Sequence, residues 1–242
     1  MPRVRLSSVA NKVLRPAGLE LRRVPHPVPA AAPAPAAEGD EKGARETKRF
    51  KRSLHFRHLV GLIDDVRGAI VECGVGAGKS MFLLATMTEG GRHPRTLWGF
   101  DSFQGLPAAT PEDEAETMTR KLRAGKFAHS EDDVRAYLVS YGMDEAKVAE
   151  RIVLVPGYFP DSFEQYDGGP IALLHLDVDL YQSYKDCLEF FEPLVVPGGV
   201  VAFDEYRSPQ WPGAAKSIDE YYGGPPPGAQ TSPHWNRWFL VK

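Results

Sequence analysis

Ile70-Val71-Glu72-Cys73-Gly74-Val75-Gly76-Ala77-Gly78-Lys79-Ser80 is a short apolar run that empties into three glycines and resumes as the helix-like Ser80-Met81-Phe82-Leu83-Leu84-Ala85. It reads as strand, tight loop and helix. Glycines at alternate positions remove the Cβ atoms that would keep a ligand off the backbone. The N-terminus of the following helix turns its free N–H groups into the same space. A ligand is expected here.

Two ligand classes compete for the loop. A nucleoside triphosphate site needs G-x-x-x-x-G-K-[ST]; Gly78-Lys79-Ser80 supplies its end, but Cys73 stands in the place of the first glycine. A nucleoside-binding loop of the form acid-x-Gly-x-Gly-x-Gly is matched in full by Glu72, Gly74, Gly76 and Gly78. Such a loop needs an acid at the end of the next strand, about 20 residues on, to hold two ribose hydroxyls. Thr96-Leu97-Trp98-Gly99-Phe100-Asp101 is strand-like and ends in that acid. The rival reading is a P-loop kinase or NTPase, with Lys79 on phosphates and Asp177 as the acid after a second apolar strand. A third is a non-catalytic binding module that has kept the fold.

The chain has 242 residues, 43% of them hydrophobic, enough for a packed core. A net charge of −3 makes no field that would gather nucleic acid, so no nucleic-acid partner is expected. Cys73 and Cys187 are the only cysteines, which points to a reducing compartment rather than a disulfide framework. No apolar run reaches the roughly 18 residues of a membrane span, and the N-terminus lacks an apolar secretory signal; the expected location is cytoplasmic. Residues 1–24 carry six Lys/Arg against Glu20, with Leu6, Val9, Val13 and Leu14 spaced for one helical face. Such a basic helix can touch an anionic membrane surface weakly, or simply fray. The Ala/Pro tract through Ala37 and the charged Glu38–Lys51 read as a linker. Residues 1–48 are therefore taken as a disordered basic arm and linker, and 49–242 as the folded domain.

Within that domain, strands are expected at Ala69–Cys73, Thr96–Asp101, Arg151–Val155, Ile171–Asp177, Val200–Asp204 and Trp235–Val241. Helices are expected at Arg57–Val66, Ser80–Glu89, Glu131–Tyr141 and Tyr184–Phe191, and Thr110–Lys126 reads as an exposed acid-rich insertion. Alternating strands and helices give an α/β, doubly wound, mostly parallel sheet. Ligands of such sheets bind beyond the C-terminal strand ends. Strand four ends in Leu176-Asp177-Val178-Asp179, and strand five in Phe203-Asp204-Glu205-Tyr206. If the two strands are neighbours, about 5 Å apart, Asp177 and Asp204 face one another and repel unless a cation joins them. Hard oxygen ligands suit Mg²⁺ or a similar divalent ion. A lone strand-end Asp ordinarily caps a helix, but four acids at two strand ends weaken that reading. Asp177 and Asp204 are read as ligands, and Asp179 and Glu205 as caps or flanking groups. His175, inside Ile171-Ala172-Leu173-Leu174-His175-Leu176, is read as a buried neutral histidine with one backbone partner. His129 and His234 read as loop histidines.

Glu72-Cys73-Gly74-Val75 with Gly78; Phe100-Asp101-Ser102-Phe103-Gln104-Gly105-Leu106-Pro107; Gly157-Tyr158-Phe159-Pro160-Asp161-Ser162; Leu176-Asp177-Val178-Asp179-Leu180-Tyr181-Gln182-Ser183; and Pro197-Gly198-Gly199 through Asp204-Glu205-Tyr206 form five ordered blocks. Together they resemble the macrocin O-methyltransferase family. The resemblance spans roughly residues 50–222. It implies a Rossmann-like class I methyltransferase with a seven-stranded sheet, S-adenosylmethionine as cofactor, a divalent metal, and a sugar, glycan or natural-product hydroxyl as acceptor. It places Glu72, Gly74 and Gly78 around the methionine moiety and Asp101 on the ribose, with Gly76, Ser80 and Ser102 in the same site. It sets Asp177, Asp204 and Glu205 on the metal; on chemical grounds a carboxylate of that cluster, Asp177, or else His175 if it reaches the cleft, is expected to accept the hydroxyl proton. The chain departs from the family's usual residues at Glu205 (Asp), at Gly76-Ala77 (bulky residue and Arg) and at His175 (Arg). The acceptor's identity is not legible, nor is the oligomeric state, and a homo-oligomer stays open.

Overall fold

The computed structural model describes residues 41–114, 124–167 and 169–242. The basic arm, most of the Ala/Pro linker and the middle of the acid-rich insertion lie outside the described residues. The chain divides between Arg45 and Glu46, and the account below concerns the second unit, Glu46–Lys242.

The described elements are α1 (Glu41–Leu62), β1 (Ala69–Cys73), α2 (Lys79–Met87), β2 (Leu97–Asp101), α3 (Glu131–Ser140), α4 (Glu145–Arg151) and β3 (Ile152–Pro156). They continue with β4 (Ile171–Leu176), α5 (Tyr181–Phe191), β5 (Val195–Phe203), α6 (Pro212–Tyr222), β6 (Gln230–Thr231) and β7 (Trp238–Val241). The seven strands form one sheet in the order β3-β2-β1-β4-β5-β7-β6. β1 to β5 pair in parallel, and β7 runs antiparallel to both of its neighbours.

Alternate strand residues enter different cores, as the two-residue period of a strand requires. Val71 and Cys73 of β1 join one cluster with Tyr184, Leu188 and Phe191 of α5 and Ile218 of α6. Ile70 joins another with Phe56 and Leu59 of α1, Ile63 just after it, and Met81 and Leu84 of α2. Helices thus supply apolar residues to both clusters.

Several expectations change. α1 starts at Glu41, inside the stretch read as linker; its first half is charged and helix-forming, so apolar periodicity detects only the later turns. The turn Pro197-Gly198-Gly199 lies within β5, where the register against β4 shifts and Gly198 takes a φ of 80°. The described start of the acid-rich insertion is anchored rather than exposed. Asp113 is 2% exposed. Its Oδ1 accepts the Tyr181 N–H at 2.7 Å and so caps α5 from a distant segment, while Oδ2 accepts from the Thr110 N–H at 2.8 Å.

Candidate active site

The glycine loop links β1 to α2 at the position where strand order reverses between β1 and β4, the usual ligand crevice of such a sheet. At Gly74, φ is 87° and an added Cβ would stand 1.9 Å from the Asp177 carbonyl oxygen, so no side chain fits. Gly76, with φ of 50°, has nothing within 4 Å of where its Cβ would be, which leaves its backbone open to a ligand. Asp101, at the end of β2, accepts the Gly76 N–H at 2.8 Å through Oδ2 and the Phe103 N–H at 2.8 Å through Oδ1. The carboxylate therefore braces the loop it was expected to face, and keeps its remaining lone pairs toward the cleft. Ser102 Oγ donates to the Gly105 carbonyl at 2.7 Å and accepts the Gln104 N–H at 3.0 Å, fixing the turn after β2. Ser80, 3% exposed, receives a hydrogen bond from the Arg52 guanidinium of α1.

These residues share a cavity of about 680 Å³ with Asp177, Asp179, Asp204 and Glu205. Parallel pairing of Leu176 with Phe203, and the Asp204 N–H donated to the Leu176 carbonyl at 2.9 Å, bring the ends of β4 and β5 side by side. Two cations that sequence reading missed meet the aspartates. Arg237 Nε lies 2.8 Å from Asp204 Oδ1, and Arg52 Nη2 lies 3.5 Å from Asp177 Oδ2. Both guanidiniums also lie over the Trp235 ring, at 4.4 Å for Arg237 and 5.7 Å for Arg52. They come from α1 and from the segment before β7. No strand-end motif predicts them.

The carboxylates differ in their proton affinity. Burial and the neighbouring Asp204 charge raise Asp177 to about 6. Burial also pushes Asp204 up, but the Arg237 guanidinium outweighs it, helped by His175 and Arg52, and holds Asp204 below the usual range. Burial, then Asp177, Asp204 and Asp179, raise Glu205 well above it. The Tyr184 hydroxyl stands 2.7 Å from Glu205 Oε2 and 3.0 Å from the Leu176 carbonyl. The hydroxyl donates to the Glu205 carboxyl, with the Leu176 carbonyl as its alternative acceptor. Asp179 holds a φ of 61°, a strained conformation for an aspartate, and its carboxyl is raised by burial and by Asp177.

Behind this wall, the β1–β4 register sets Glu72 directly opposite His175. Glu72 Oε1 and His175 Nδ1 lie 3.0 Å apart, with the two side chains 0% and 1% exposed. His175 thus has a carboxylate partner where a backbone partner was expected. Burial alone would lower its pKa, but the Glu72 hydrogen bond and charge, with Asp177 and Asp204, raise it. Neither Glu72 nor His175 lines the cavity, so Glu72 sits beneath the glycine loop rather than on its open side. His55 of α1, which no motif singles out, is a further buried histidine, 1% exposed, with Nδ1 unpartnered.

A divalent ion fits this donor set. His175 Nε2, Glu72 Oε2 and Asp204 Oδ1 are buried without a hydrogen-bond partner. Of the neighbouring carboxylates, Asp204 meets the Arg237 guanidinium and Asp177 that of Arg52. Donor atoms of His175, Asp177 and Asp204 lie within 4.8 Å of one another, and so do those of Asp177, Asp179 and Glu205. The expected set Asp177, Asp204 and Glu205 is therefore split between two groups that share Asp177. The P-loop reading gains no support: Lys79 is exposed at the start of α2, and the stretch lacks the first glycine of that motif.

A family model for macrocin O-methyltransferases matches residues 48–223. The tetracenomycin-C 4′-O-methyltransferase of Streptomyces olivaceus that acts on an 8-demethyl-8-(2,3-dimethoxy-α-L-rhamnosyl) form is 34% identical over 148 residues, which are 60% of this chain and 55% of that protein. The demethyldecarbamoylnovobiocin O-methyltransferase of Streptomyces niveus is 32% identical over 177 residues, 71% of this chain and 65% of the relative. The chain thus spans 55% and 65% of the length of these curated relatives. Among solved structures, the calicheamicin methyltransferase CalS11 is similar with a TM-score of 0.67 at 27% identity, covering 79% of each chain. The O-methyltransferase NovP is similar with a TM-score of 0.66 at 28% identity, again covering 79% of each.

Proposed function

The chain belongs to the macrocin O-methyltransferase family, and from that premise we propose that it transfers the methyl group of S-adenosylmethionine to a hydroxyl of a sugar, glycan or natural product. The observation that carries the reading is one cavity of about 680 Å³ whose wall joins the glycine loop and Asp101 to Asp177 and Asp204. The proposed catalytic domain is 49–242, a doubly wound class I sheet. Free thiols at Cys73 and Cys187 fit a cytoplasmic place of action. No described helix is long and apolar enough to cross a membrane, and residues 1–24, read as a weak membrane contact, lie outside the described residues.

The glycine loop and the N-terminus of α2 would receive the methionine moiety, with Gly74, Gly76 and Ser80 lining its place and Gly78, buried against Val134, shaping the turn behind it, and Asp101 would take the ribose hydroxyls. When bound, S-adenosylmethionine would supply a methyl group for in-line displacement, the acceptor oxygen forming the O–C bond as the C–S pair returns to sulfur and S-adenosylhomocysteine is left. Asp177 accepts the hydroxyl proton. Asp177 lines the cavity beside the glycine loop, within reach of an acceptor placed there. Asp177 and Asp204, with Glu205 and Asp179 beside them, would hold a divalent metal, which when bound would acidify and fix the acceptor hydroxyl. Arg52 and Arg237 limit the repulsion of the two aspartates, and Trp235 holds both guanidiniums in place.

Calorimetry with S-adenosylmethionine, S-adenosylhomocysteine and ATP–Mg²⁺ tests the cofactor. Binding of the first two is expected, weakened by about tenfold or more in Asp101→Asn, where one ribose acceptor is lost. Tight ATP–Mg²⁺ binding without response to either sulfur compound would overturn the reading.

A further inference from the structure

Glu72 and His175 have no part in contacting the cofactor or acceptor in the scheme above, yet they form a fully buried polar pair at the most protected point of the sheet. With Nδ1 donating to the Glu72 carboxylate, the neutral ring that a metal would meet carries its lone pair on Nε2. That Nε2 is buried and has no partner. A buried polar atom left unpaired is costly and is seldom kept without a ligand. The donor atoms of His175, Asp177 and Asp204 converge within 4.8 Å of each other. Phe56 meets the imidazole edge-on, with ring centroids 5.0 Å apart, so the ring is clamped between an aromatic face and a carboxylate.

We propose that His175 is a metal ligand through Nε2, that Asp177 and Asp204 complete a set of one nitrogen and two carboxylates, and that Glu72 orients the ring. The proposal rests on the metal reading above and deepens it by naming the class of ion. Mg²⁺ asks for oxygen ligands and sheds water reluctantly, whereas an imidazole suits a first-row transition ion such as Co²⁺ or Zn²⁺, and Mn²⁺, which takes oxygen ligands too, is the paramagnetic probe of the site. A ligating histidine whose other nitrogen donates to a carboxylate is the usual way proteins fix ring and tautomer at a metal. Arg237 does not take Asp204 out of the set: Arg237 Nε and Asp204 Oδ1 lie 2.8 Å apart, but neither completes a hydrogen bond, and the oxygen keeps a lone pair to give.

The test uses the chelator-stripped full chain titrated with Mn²⁺, read by electron paramagnetic resonance, with Mg²⁺ as competitor. Mn²⁺ is expected to bind at least about tenfold more tightly than Mg²⁺ and to show nitrogen modulation from one imidazole. His175→Gln should abolish the modulation and weaken Mn²⁺ by roughly tenfold or more, with a change for Mg²⁺ of less than about threefold. Glu72→Gln should keep the modulation and weaken Mn²⁺ by roughly 10- to 100-fold. Mn²⁺ bound without nitrogen modulation would overturn the proposal and leave the aspartate metal site standing. Modulation that survives in His175→Gln would move the ligand to His55 and overturn it too. Failure of both ions to bind would overturn the metal reading itself. If His175→Gln does not fold by circular dichroism, the wild-type modulation and the Glu72→Gln titration decide.

Discussion

His55 shows how the site governs stability as well as chemistry. Burial, then the proximity of His175, lower its pKa to about 3 from 6.5, with Asp204 opposing. Between those values the unfolded chain binds a proton that the folded chain refuses, so stability is fully present above pH 6.5 and drains away as pH falls toward 3. Integrated from pH 7 to 4, the loss from this residue is at most about 3 kcal/mol. His175 has the opposite sign, because its folded pKa is raised: its contribution is present below the unfolded value and is lost as pH rises through the folded one. Urea unfolding at pH 7, 5.5 and 4 should therefore show wild type losing stability faster than His55→Phe on the acid side. Parallel curves for the two proteins would show that His55 does not hold its neutral form in the fold. Nothing in the sequence around His55 marks it, since one histidine in a helix gains meaning only from the strand the helix covers.

Elements are joined here by buried cations that sequence periodicity does not register. Arg95, 7% exposed, donates through Nη2 to the carbonyls of Ile63 at 2.6 Å and Val66 at 2.7 Å, and through Nη1 to Gly68 at 2.8 Å. The carbonyls of Val66 and Gly68 thereby find partners, and that of Ile63, which already accepts the Val66 N–H at 3.0 Å, gains a second. Arg95→Ala should leave the Val66 and Gly68 carbonyls without the arginine and cost about 2–4 kcal/mol, read as a fall in the urea midpoint. Arg95→Lys should recover only part of that, because an ammonium cannot reproduce the planar fork; full recovery would mean that charge alone is needed. Elements with a long apolar period were legible before the structure: β1, β2, β4 and the core of α5 fall within a few residues of expectation. α4 and β6 are too short to show a period, and α6 opens with Pro212-Gly213, residues that normally signal a break. In the structure Pro212 occupies the first helical turn, where its missing N–H costs nothing, and Gly213 is needed because a Cβ would stand 2.1 Å from Asp113 Oδ1.

At the scale of the molecule, the sheet places two binding functions on different strand ends. Asp101 and the glycine loop belong to β2 and β1, and the aspartates to β4 and β5, with the loop packed on β4 through Gly74. Motifs that end strands were readable because a strand end is local in sequence. Arg52, Arg237 and Trp235 were not, because only the strand order β1-β4-β5-β7 and the packing of α1 bring them to the aspartates. This division predicts that cofactor binding and turnover respond separately to metal removal. Gly76 and Asp101 are tied to each other and to no metal donor, so EDTA should leave the affinity for S-adenosylhomocysteine within about threefold of the untreated protein, a change under 1 kcal/mol. Stripping the ion removes the group that acidifies the acceptor hydroxyl, and turnover on any accepted substrate should fall by about 100-fold or more. Asp204→Ala should reproduce the EDTA result, and it also leaves Arg237 without its anion; Asp204→Asn, which keeps an oxygen toward Arg237, separates that effect from loss of the metal. Undiminished turnover in stripped protein, or full activity of Asp204→Ala, would remove the metal from the mechanism and leave Asp177 alone to activate the hydroxyl. Loss of cofactor binding along with turnover would instead show that the two strand-end sites act as one.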